Sequence, residues 1–319
     1  MNSILLIVAG LVLFLYALNT LSQGLKDLAG DKLKRFLDKF TNNLLKGILS
    51  GIIVTVLLDS SSVVIIMTIA LVNSKAMTFR QAMGVVMGAN IGTTFSSQIF
   101  ALNVGEYAAI PILGGFILMF FFKKSFYTNL GKVVFSFGLI FFGLFTMEEA
   151  VDPLKQSDYF ISWLHSLENT WKGLFTGALV TVVVQSSSAT VGMVIGLASE
   201  NMITITAGIA VMLGAELGTC ADTLIASIGR TKAAIKTGLF HLLFNVTTIL
   251  VGMILLPFFT ELVLFISKHS STQQTIANAH MLFNGLGVAI MLPFVGLYES
   301  ALDAVVGDRK RNEESFRKA

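Results

Sequence analysis

Two short polar stretches in apolar surroundings carry side chains that could replace the water around a small ion. Residues 181–194 read VTVVVQSSSATVGM and lie within 27 residues, 173–199, that contain no charged side chain. Residues 59–62 read DSSS in a comparably apolar setting. Serine hydroxyls and a glutamine amide both donate and accept hydrogen bonds. Such groups need partners when they are buried in an apolar slab, and an ion stripped of its water supplies them.

The composition identifies the apolar surroundings as a lipid bilayer. The 319 residues are 54% hydrophobic and 13% charged, whereas a soluble domain is about 25% charged. The net charge of +3 comes from loop residues rather than from a basic patch, so we expect no nucleic-acid partner. Segments that approach or exceed the ~18 apolar residues of a membrane span cover 4–22, 82–102, 107–122, 133–146, 203–228, 233–259 and 276–297.

Lysine and arginine positions indicate how the chain crosses the membrane. Because these residues are enriched in cytoplasmic loops, their pattern predicts about seven transmembrane helices, with the N-terminus outside and the C-terminus in the cytoplasm. It also requires residues 47–73 and 173–199 to enter and leave on the same side. The cytoplasmic set, 19 of the 22 Lys and Arg residues, lies in 23–46, 74–80, 123–132, 229–236 and after 299.

The two polar stretches belong to an internal repeat. Residues 47–102 placed over 173–228, at an offset of 126, give 18 identities in 56 positions without a gap, where composition alone gives roughly 5. Each copy contains three crossings, so the second copy must be inverted, as in many secondary transporters. The sequence thus predicts an all-α integral membrane protein with a first repeat over 1–128, an inverted second repeat over 129–259, and a final transmembrane helix with a short basic tail over 260–319.

A weaker resemblance between the copies lies upstream. Apolar residues at helical spacing in a charged segment predict an interfacial amphipathic helix before each polar stretch. In the two copies these residues are Leu33, Phe36, Leu37, Phe40 and Leu44, and Phe160, Trp163, Leu164, Leu167 and Trp171.

Each polar stretch is predicted to be the tip of a re-entrant helical hairpin. A continuous helix of 27 residues would be about 40 Å long, which exceeds the ~30 Å hydrocarbon core. Two half-helices that meet at the serines would instead place a helix N-terminus at mid-membrane. N-terminal N–H groups favour anions, while free carbonyls and hydroxyls can ligate Na⁺. Two tips that meet from opposite sides would then form one ion site.

Four motifs together resemble those of the type II sodium–phosphate cotransporter family. They are the repeated serine triplet with its Gln185, GANIGTT at 88–94, FHLLFN at 240–245 and AHMLFN at 279–284. The resemblance covers about residues 5–298. It implies Na⁺-coupled symport of inorganic phosphate across the bacterial plasma membrane (the cell inner membrane), no enzymatic activity, and no cofactor, with Na⁺ as the coupling ion. It leaves the oligomeric state open.

The resemblance implies that both serine motifs line one shared site. Gly84, Gly88 and Gly92 recur every four residues and form a smooth helix face that suits close packing. The functional interpretation is instead a helix break within 88–94, repeated at 214–219 in the second copy, which would free carbonyls near the tips. The His–Asn pairs of the last two motifs are expected to be buried structural contacts. The predicted substrate-binding residues are Ser60, Ser61, Ser62, Gln185, Ser186, Ser187, Ser188, Asn90 and Thr93, and the predicted Na⁺ ligands are Asp59, Glu216 and Thr219.

Carboxylates mark the departures from the family pattern. Asp59 stands where the family usually has Gln, Glu216 stands opposite Asn90 in the repeat, and Asp222 stands opposite Ser96. A charge at mid-membrane costs ~3 kcal/mol or more, and the centres of the predicted spans supply no Lys or Arg to offset it. Asp59 and Glu216 are therefore interpreted as cation ligands, proton carriers or protonated hydrogen-bond donors.

Two other functions are compatible with these residues. The added negative charge opposes an anion, so a Na⁺- or H⁺-coupled transporter of another small anion is an alternative on the same fold. An intramembrane hydrolase could pair a serine nucleophile with His241 or His280 as its base. That mechanism needs one privileged serine, whereas this sequence has two equivalent triplets. The duplication therefore favours transport.

Overall fold

The computed structural model describes residues 2–41, 43–102, 104–151, 154–155 and 157–307, and this part of the chain contains helices and no strand. The predicted basic tail after residue 307 lies outside the described residues. The α-helices are α1 Asn2–Phe40, α2 Leu44–Leu58, α3 Ser61–Asn73, α4 Phe79–Phe100, α5 Ala109–Phe121, α6 Ser125–Val151, α7 Asp158–Ser166, α8 Thr170–Val184, α9 Ser187–Ser199, α10 Ile205–Gly218, α11 Cys220–Ser227, α12 Lys232–Ile254, α13 Leu256–Ile266, α14 Thr272–Met291 and α15 Val295–Val306.

Long apolar helices make the chain an all-α integral membrane protein. In addition to the five single-helix spans given at the end of this paragraph, α4 and the segment Gly105–Phe121 together form a sixth candidate span. Its two arms are bent by 80° relative to each other at a short break. The sequence counts the two arms of this pair as separate crossings and so arrives at about seven. Five helical stretches of the described chain are long and apolar enough to cross alone: Leu5–Ala29, Ser125–Ala150, Ile205–Ser227, Lys232–Ile254 and Thr272–Val306.

Helix α1 joins two predicted elements into one. The sequence predicts a span followed by a separate amphipathic helix, but α1 runs unbroken for 39 residues. Its charged second half buries Leu33 and Leu37 in one hydrophobic core, while Phe14 in its first half belongs to another. The second copy differs, because α7 is a helix separate from α6. The expected amphipathic helix is therefore independent only in the second repeat.

Glycines allow α2 to lie directly against α4. A Cβ added to Gly88 would overlap the carbonyl oxygen of Ile48, so only glycine fits there. Gly47 contacts Gly84, and Gly92 contacts Thr55. In both contacts the α4 residue follows the α2 residue by 37 positions. The contacts therefore advance in the same direction along both helices, so α2 and α4 run parallel. Small residues that let backbones approach in this way are typical of membrane helix interfaces.

The segment between α2 and α4 must therefore reverse the chain. α3 begins at the level of Ser96, because Ser96 is hydrogen-bonded to Asp59 at the end of α2. If α3 continued in the direction of α2, Asn73 would lie about 45 Å from Phe79. The five residues that link α3 to α4 reach at most about 20 Å. Helix α3 thus returns alongside α4, and α2 and α3 form a helical hairpin.

The second repeat packs in the same register. Gly173 contacts Ala210 and Gly218 contacts Thr181, again 37 positions apart. A Cβ at Gly214, the counterpart of Gly88, would overlap the carbonyl oxygen of Leu174. Helices α8 and α9 accordingly form a second hairpin against α10.

The chain path repeats even where the side chains differ. Asp59 and Gln185 have positive φ angles of 51° and 59°, and so have Lys75 and Asn201, with 63° and 54°. These are all the non-glycine residues with positive φ in the described part of the chain, and each pair is separated by the repeat offset of 126. A positive φ is uncommon for residues other than glycine. The repeat is therefore a property of the backbone as well as of the sequence.

The predicted helix break within residues 88–94 is wrong. α4 is continuous from Phe79 to Phe100, because its glycine row packs against α2 and keeps its helical hydrogen bonds. In the second repeat α10 ends at Gly218 and α11 begins at Cys220, so that only Thr219 separates two helices. Thr219 itself has helical dihedral angles (φ −65°, ψ −17°), and its N–H bonds to the carbonyl oxygen of Ala215 at 3.2 Å. The predicted break is therefore absent from the first copy and limited to a one-residue irregularity in the second, within the single candidate span Ile205–Ser227.

Candidate functional site

The first hairpin tip reaches into the second repeat. Ser62 Oγ lies 3.4 Å from Thr219 Oγ1 and donates to Asp222 Oδ2 at 3.2 Å. Thr219 is the residue between α10 and α11, so the tip of one repeat contacts the helix interruption of the other. Three oxygen-bearing side chains from both halves of the chain thus meet at one point.

The serine after each break caps the helix that follows. Ser60 Oγ accepts a hydrogen bond from the N–H of Val63 at 3.3 Å, and Ser186 Oγ accepts one from Ala189 at 3.1 Å. The cap satisfies one of the four N–H groups that a helix N-terminus leaves without an intrahelical partner. Others remain at each tip, at the positive end of the helix dipole. Ser61 is buried in the first turn of α3.

The second tip is closed on itself. Thr181 Oγ1 on α8 lies 2.7 Å from Thr190 Oγ1 on α9, which ties the two arms together. Ser187 and Ser188 are buried, whereas the side chain of Gln185 is exposed. The predicted role of Gln185 at the substrate therefore requires its side chain to turn inward.

Asp59 bonds within its own repeat. Its carboxylate accepts a hydrogen bond from Ser96 Oγ on α4. Both residues line a cavity of about 160 Å³ whose other walls are apolar. Its volume would accommodate several waters, but each water needs two to four polar partners, and among the residues that line this cavity these come from the Asp59 carboxylate and the Ser96 hydroxyl.

Helix α12 bonds to both repeats. His241 Nδ1 lies 2.8 Å from Thr223 Oγ1 of the second repeat. Asn90 Nδ2 of the first repeat donates to Asn245 Oδ1 at 2.7 Å. His241 and Asn245 lie one helical turn apart and are both buried.

Helix α14 makes the same connections with the repeats exchanged. His280 Nδ1 lies 2.7 Å from Ser97 Oγ of the first repeat, and Asn284 Nδ2 donates to Glu216 Oε1 of the second at 2.9 Å. In the repeat alignment Ser97 is the counterpart of Thr223, and Glu216 is the counterpart of Asn90. The pair on α12 thus bonds through its histidine to the second repeat and through its asparagine to the first, and the pair on α14 does the reverse. We call this arrangement crosswise, and it holds the two repeats together. The sequence interpretation missed this role, although FHLLFN recurs as AHMLFN 39 residues later.

Thr93 lies on the same face of α4 as Asn90 and Ser97, one turn from each. Its hydroxyl is buried and has no hydrogen-bond partner among the residues that the structure describes. Its counterpart Thr219 contacts Ser62. A buried hydroxyl without a partner costs about 1–3 kcal/mol, which makes Thr93 a position where a ligand oxygen or water would relieve an existing penalty.

The three predicted Na⁺ ligands lie in three different settings. Asp59 faces Ser96, Thr219 faces Ser62, and Glu216 faces His280 and Asn284. Within the described ranges no three or more His, Cys, Asp or Glu residues are grouped so that they could hold a metal ion. The structure thus brings Thr219 to a hairpin tip and gives Asp59 and Glu216 other partners.

Polar groups from two structural repeats converge in the interior of an apolar helical bundle, an arrangement typical of secondary membrane transporters. The sequence model of the Na⁺/Pi-cotransporter family matches residues 13–149 and 156–291. The chain belongs to this family.

Bacterial and animal proteins resemble the chain to different extents. It is 29% identical over 291 residues to the uncharacterized protein YqeW of Bacillus subtilis, which covers 90% of the chain and 93% of YqeW. It is 24% identical over 320 residues to YjbB of Escherichia coli, named a putative inorganic phosphate export protein; this covers 99% of the chain but only 58% of YjbB. Human sodium-dependent phosphate transport protein 2B is 34% identical over 106 residues, 32% of the chain and 15% of that protein. No solved structure matches the chain.

Proposed function

We propose that the protein is a secondary active transporter that carries inorganic phosphate across the plasma membrane by symport with Na⁺. The observation that carries this proposal is the contact of Ser62 with Thr219 and Asp222, which joins a hairpin tip of one repeat to a helix interruption of the other. Hard cations take oxygen ligands, and the hydroxyls of Ser62 and Thr219 and the carboxylate of Asp222 would supply them to Na⁺. We place a coupling Na⁺ at this cluster.

The placement in the membrane follows from helix lengths. Helices α2 and α3 have 15 and 13 residues, about 22 and 20 Å, so neither spans a ~30 Å hydrocarbon core alone. We propose that both hairpins are re-entrant and that the second repeat is inverted relative to the first. The two tips would then meet near mid-membrane from opposite sides, with the N-terminus outside.

Phosphate would lie between the tips, at the N-termini of α3 and α9. The N–H groups there favour an anion, and the buried Ser61, Ser187 and Ser188 add hydroxyl donors. Asp59 and Asp222 lie close to the same region and repel an anion. Cations must therefore enter together with phosphate, which is the physical basis of obligatory coupling.

A second candidate direction is export, because YjbB is named a phosphate export protein. A coupled carrier runs in whichever direction its gradients favour. Each net positive charge that moves inward gains ~2.3 kcal/mol per 100 mV of membrane potential, so an inward Na⁺ gradient favours uptake. We therefore propose uptake as the physiological direction. Another small anion carried on the same fold is the alternative substrate.

Radiolabelled phosphate flux in proteoliposomes tests the proposal. Vesicles receive an inward Na⁺ gradient, an outward Na⁺ gradient or K⁺ on both sides, with wild type, Ser187→Ala and the control Ser300→Ala. Ser300 is exposed and lies far along the chain from both tips. We expect Na⁺-driven uptake in wild type and the control, and its loss in Ser187→Ala.

Each other outcome has a definite meaning. Flux of equal size with Na⁺ and K⁺ would exclude Na⁺ coupling. Flux only under the outward gradient would identify export. No phosphate flux in folded protein would direct the search to sulfate and small organic acids.

A further inference from the structure

The two repeats differ in one of their long helices. α4 is continuous, whereas Thr219 alone separates α10 from α11 at the equivalent place in the second repeat. Both copies have the dipeptide Gly-Thr at this place, Gly92–Thr93 in α4 and Gly218–Thr219 in the second repeat, so these two residues do not explain the difference. Its cause therefore includes other side chains that contact the junction of α10 and α11.

Asn245 on α12 contacts the helical turn that precedes this junction. Its Nδ2 donates to the backbone oxygen of Glu216 at 2.6 Å, and Cys220 Sγ lies 3.6 Å from the same oxygen. In an uninterrupted helix this oxygen would accept from the N–H of Cys220, four residues later. A side chain that inserts into the helical hydrogen-bond ladder bends or interrupts a helix, and α10 ends two residues after Glu216.

The first repeat lacks the corresponding contact among the residues that the structure describes. Asn284 on α14 is the counterpart of Asn245, but its Nδ2 donates to the Glu216 carboxylate at 2.9 Å and to the backbone oxygen of His280, in its own helix, at 3.2 Å. Asn90, the counterpart of Glu216, lies within the continuous α4. The side-chain bond to a backbone oxygen and the irregular helix therefore occur together, in the second repeat.

The junction places a hydroxyl at the candidate Na⁺ site. Thr219 Oγ1 lies 3.4 Å from Ser62 Oγ, which also donates to Asp222 in the first turn of α11. Thr93, the counterpart of Thr219 in α4, has a buried hydroxyl without a partner in the described part of the chain. The same residue type thus contacts a hairpin tip in the copy whose helix is irregular.

The amide of Asn245 is held in one orientation by its neighbours. Its Oδ1 accepts from Asn90 Nδ2 at 2.7 Å, and its Nδ2 lies 3.4 Å from His241 Nε2, one turn earlier in α12. Because Asn90 donates to the amide oxygen, the amide nitrogen is directed at α10. A residue of the first repeat therefore orients the group that acts on the second.

We infer that Asn245 is a positioning residue for the coupling Na⁺. By bonding to the backbone oxygen of Glu216 it maintains the junction, and the junction holds the Thr219 hydroxyl beside Ser62. Within the described residues Asn245 makes no hydrogen bond to Ser62, Thr219 or Asp222, so it acts on Na⁺ through the backbone of α10. The inference rests on the proposed function, because it needs Na⁺ at this cluster.

Thermal unfolding of the purified protein in detergent tests the inference without transport. A cation that binds the folded protein raises the unfolding temperature, and the dependence on Na⁺ concentration gives the dissociation constant of Na⁺. Choline replaces Na⁺ so that the ionic strength stays constant. We expect Asn245→Ala to raise this constant about fivefold. Asn245→Leu keeps the volume of the side chain and should have the same effect, because the cause is the lost amide and not a cavity.

Asn284→Ala is the matched control. Asn284 is also a buried asparagine one turn after a histidine, but it bonds to the carboxylate of Glu216 and not to its backbone oxygen. Asn284→Ala should destabilise the protein more than Asn245→Ala and yet change the Na⁺ dissociation constant less than about twofold. A merely structural role of Asn245 predicts the reverse order, since the less stable variant would then bind Na⁺ more weakly.

The outcomes separate this inference from the proposed function. Wild-type Na⁺ affinity in both Asn245 variants, together with weakened affinity in Ser62→Ala, overturns the inference and leaves the Na⁺ site in place. An equal loss of affinity in Asn284→Ala also overturns it. Wild-type protein that shows neither Na⁺-dependent stabilisation nor Na⁺-driven phosphate flux would instead overturn the proposed function.

Discussion

The two hairpin tips have the same backbone and different chemistry. Asp59 and Gln185 adopt the same left-handed conformation, and the serine that follows each caps the next helix. Yet the first tip reaches across to Asp222, whereas the second is tied by Thr181 and Thr190 within its own hairpin. The repeat therefore fixes where the polar groups lie, and substitutions at equivalent positions decide what each of them contacts.

The positions of the carboxylates show the difference most clearly. In the first repeat the acid is at the tip, Asp59, and its helix partner is a serine, Ser96. In the second repeat the tip has Gln185, and the acid, Asp222, is on the helix. Each repeat thus has one carboxylate in the pair formed by the tip residue and its helix partner. The carboxylate belongs to the tip residue in the first repeat and to the helix residue in the second. The following comparisons of equivalent residues test which properties the halves share.

The largest effect is expected from the glycines that both repeats need. A Cβ at Gly88 or Gly214 would overlap a backbone carbonyl oxygen, which cannot move away without disrupting its helix. We expect Gly88→Ala and Gly214→Ala each to lower the free energy of unfolding by about 3 kcal/mol. Thermal unfolding in detergent measures this. Gly114→Ala is the control, because nothing lies within 4 Å of its added Cβ; equal stability of all three variants would contradict the packing argument.

The two asparagines of the His–Asn pairs should differ because only one bonds to a carboxylate. Asn284→Ala removes a donor to Glu216 and is expected to cost about 2–3 kcal/mol, against about 1 kcal/mol for Asn245→Ala. Chemical or thermal unfolding gives both values. In a Glu216→Gln background the two costs should become similar. A persistent difference there would show that charge is not its cause.

The serines that end each triplet should differ in their effect on Na⁺ affinity. Ser62→Ala removes the donor to Asp222 and is expected to raise the Na⁺ concentration for half-maximal phosphate uptake about tenfold, or about 1.4 kcal/mol. For Ser188→Ala, whose residue makes no such cross-repeat contact among the described residues, we expect about threefold. The measurement is uptake as a function of Na⁺ at saturating phosphate. A larger effect for Ser188 would place the coupling ion at the second tip.

The smallest effect on stability is expected at Thr93. Thr93→Val removes a buried hydroxyl that has no partner in the described structure, so stability should be unchanged or rise by up to about 1 kcal/mol. Phosphate uptake should fall nonetheless if Thr93 binds substrate as the sequence predicts. Thr219→Val, which loses the contact with Ser62, should lower both. Full activity of Thr93→Val would remove this residue from the site.

The sequence predicts the two breaks at the serine triplets, because these depend on neighbouring residues, whereas its predicted break within 88–94 is wrong. The interruptions at the serine triplets are present: α2 ends at Leu58 and α8 at Val184. The family, the all-helical membrane fold and the repeated spacing also follow from the sequence. Re-entry of the hairpins and inversion of the second repeat are defined relative to the bilayer and stay predictions.

Contacts between distant parts of the chain could not be predicted. Hydrophobic periodicity indicates which face of a helix is buried, but not which other helix packs against that face. The glycine row at Gly84, Gly88 and Gly92 is compatible both with a helix break and with close packing. Its contacts with α2 in the structure show that close packing is correct. The crosswise partners of His241 and His280 depend on how four helices meet. Such pairings over 18 to 183 residues of chain are set by tertiary structure alone.

Helix α1 constrains how the transporter can move. Its first half packs in the core that contains Phe100 and Ala189, and its second half packs in the core that contains Val54 and Phe240. Because it is unbroken over 39 residues, about 58 Å, α1 cannot act as a hinge between these cores. Because α1 is one rigid helix, a rotation of 10° about one of its ends would displace its other end by about 10 Å. We therefore expect conformational change to use joints elsewhere in the chain, with the links at the two tips and the junction of α10 and α11 at Thr219 as the first positions to test.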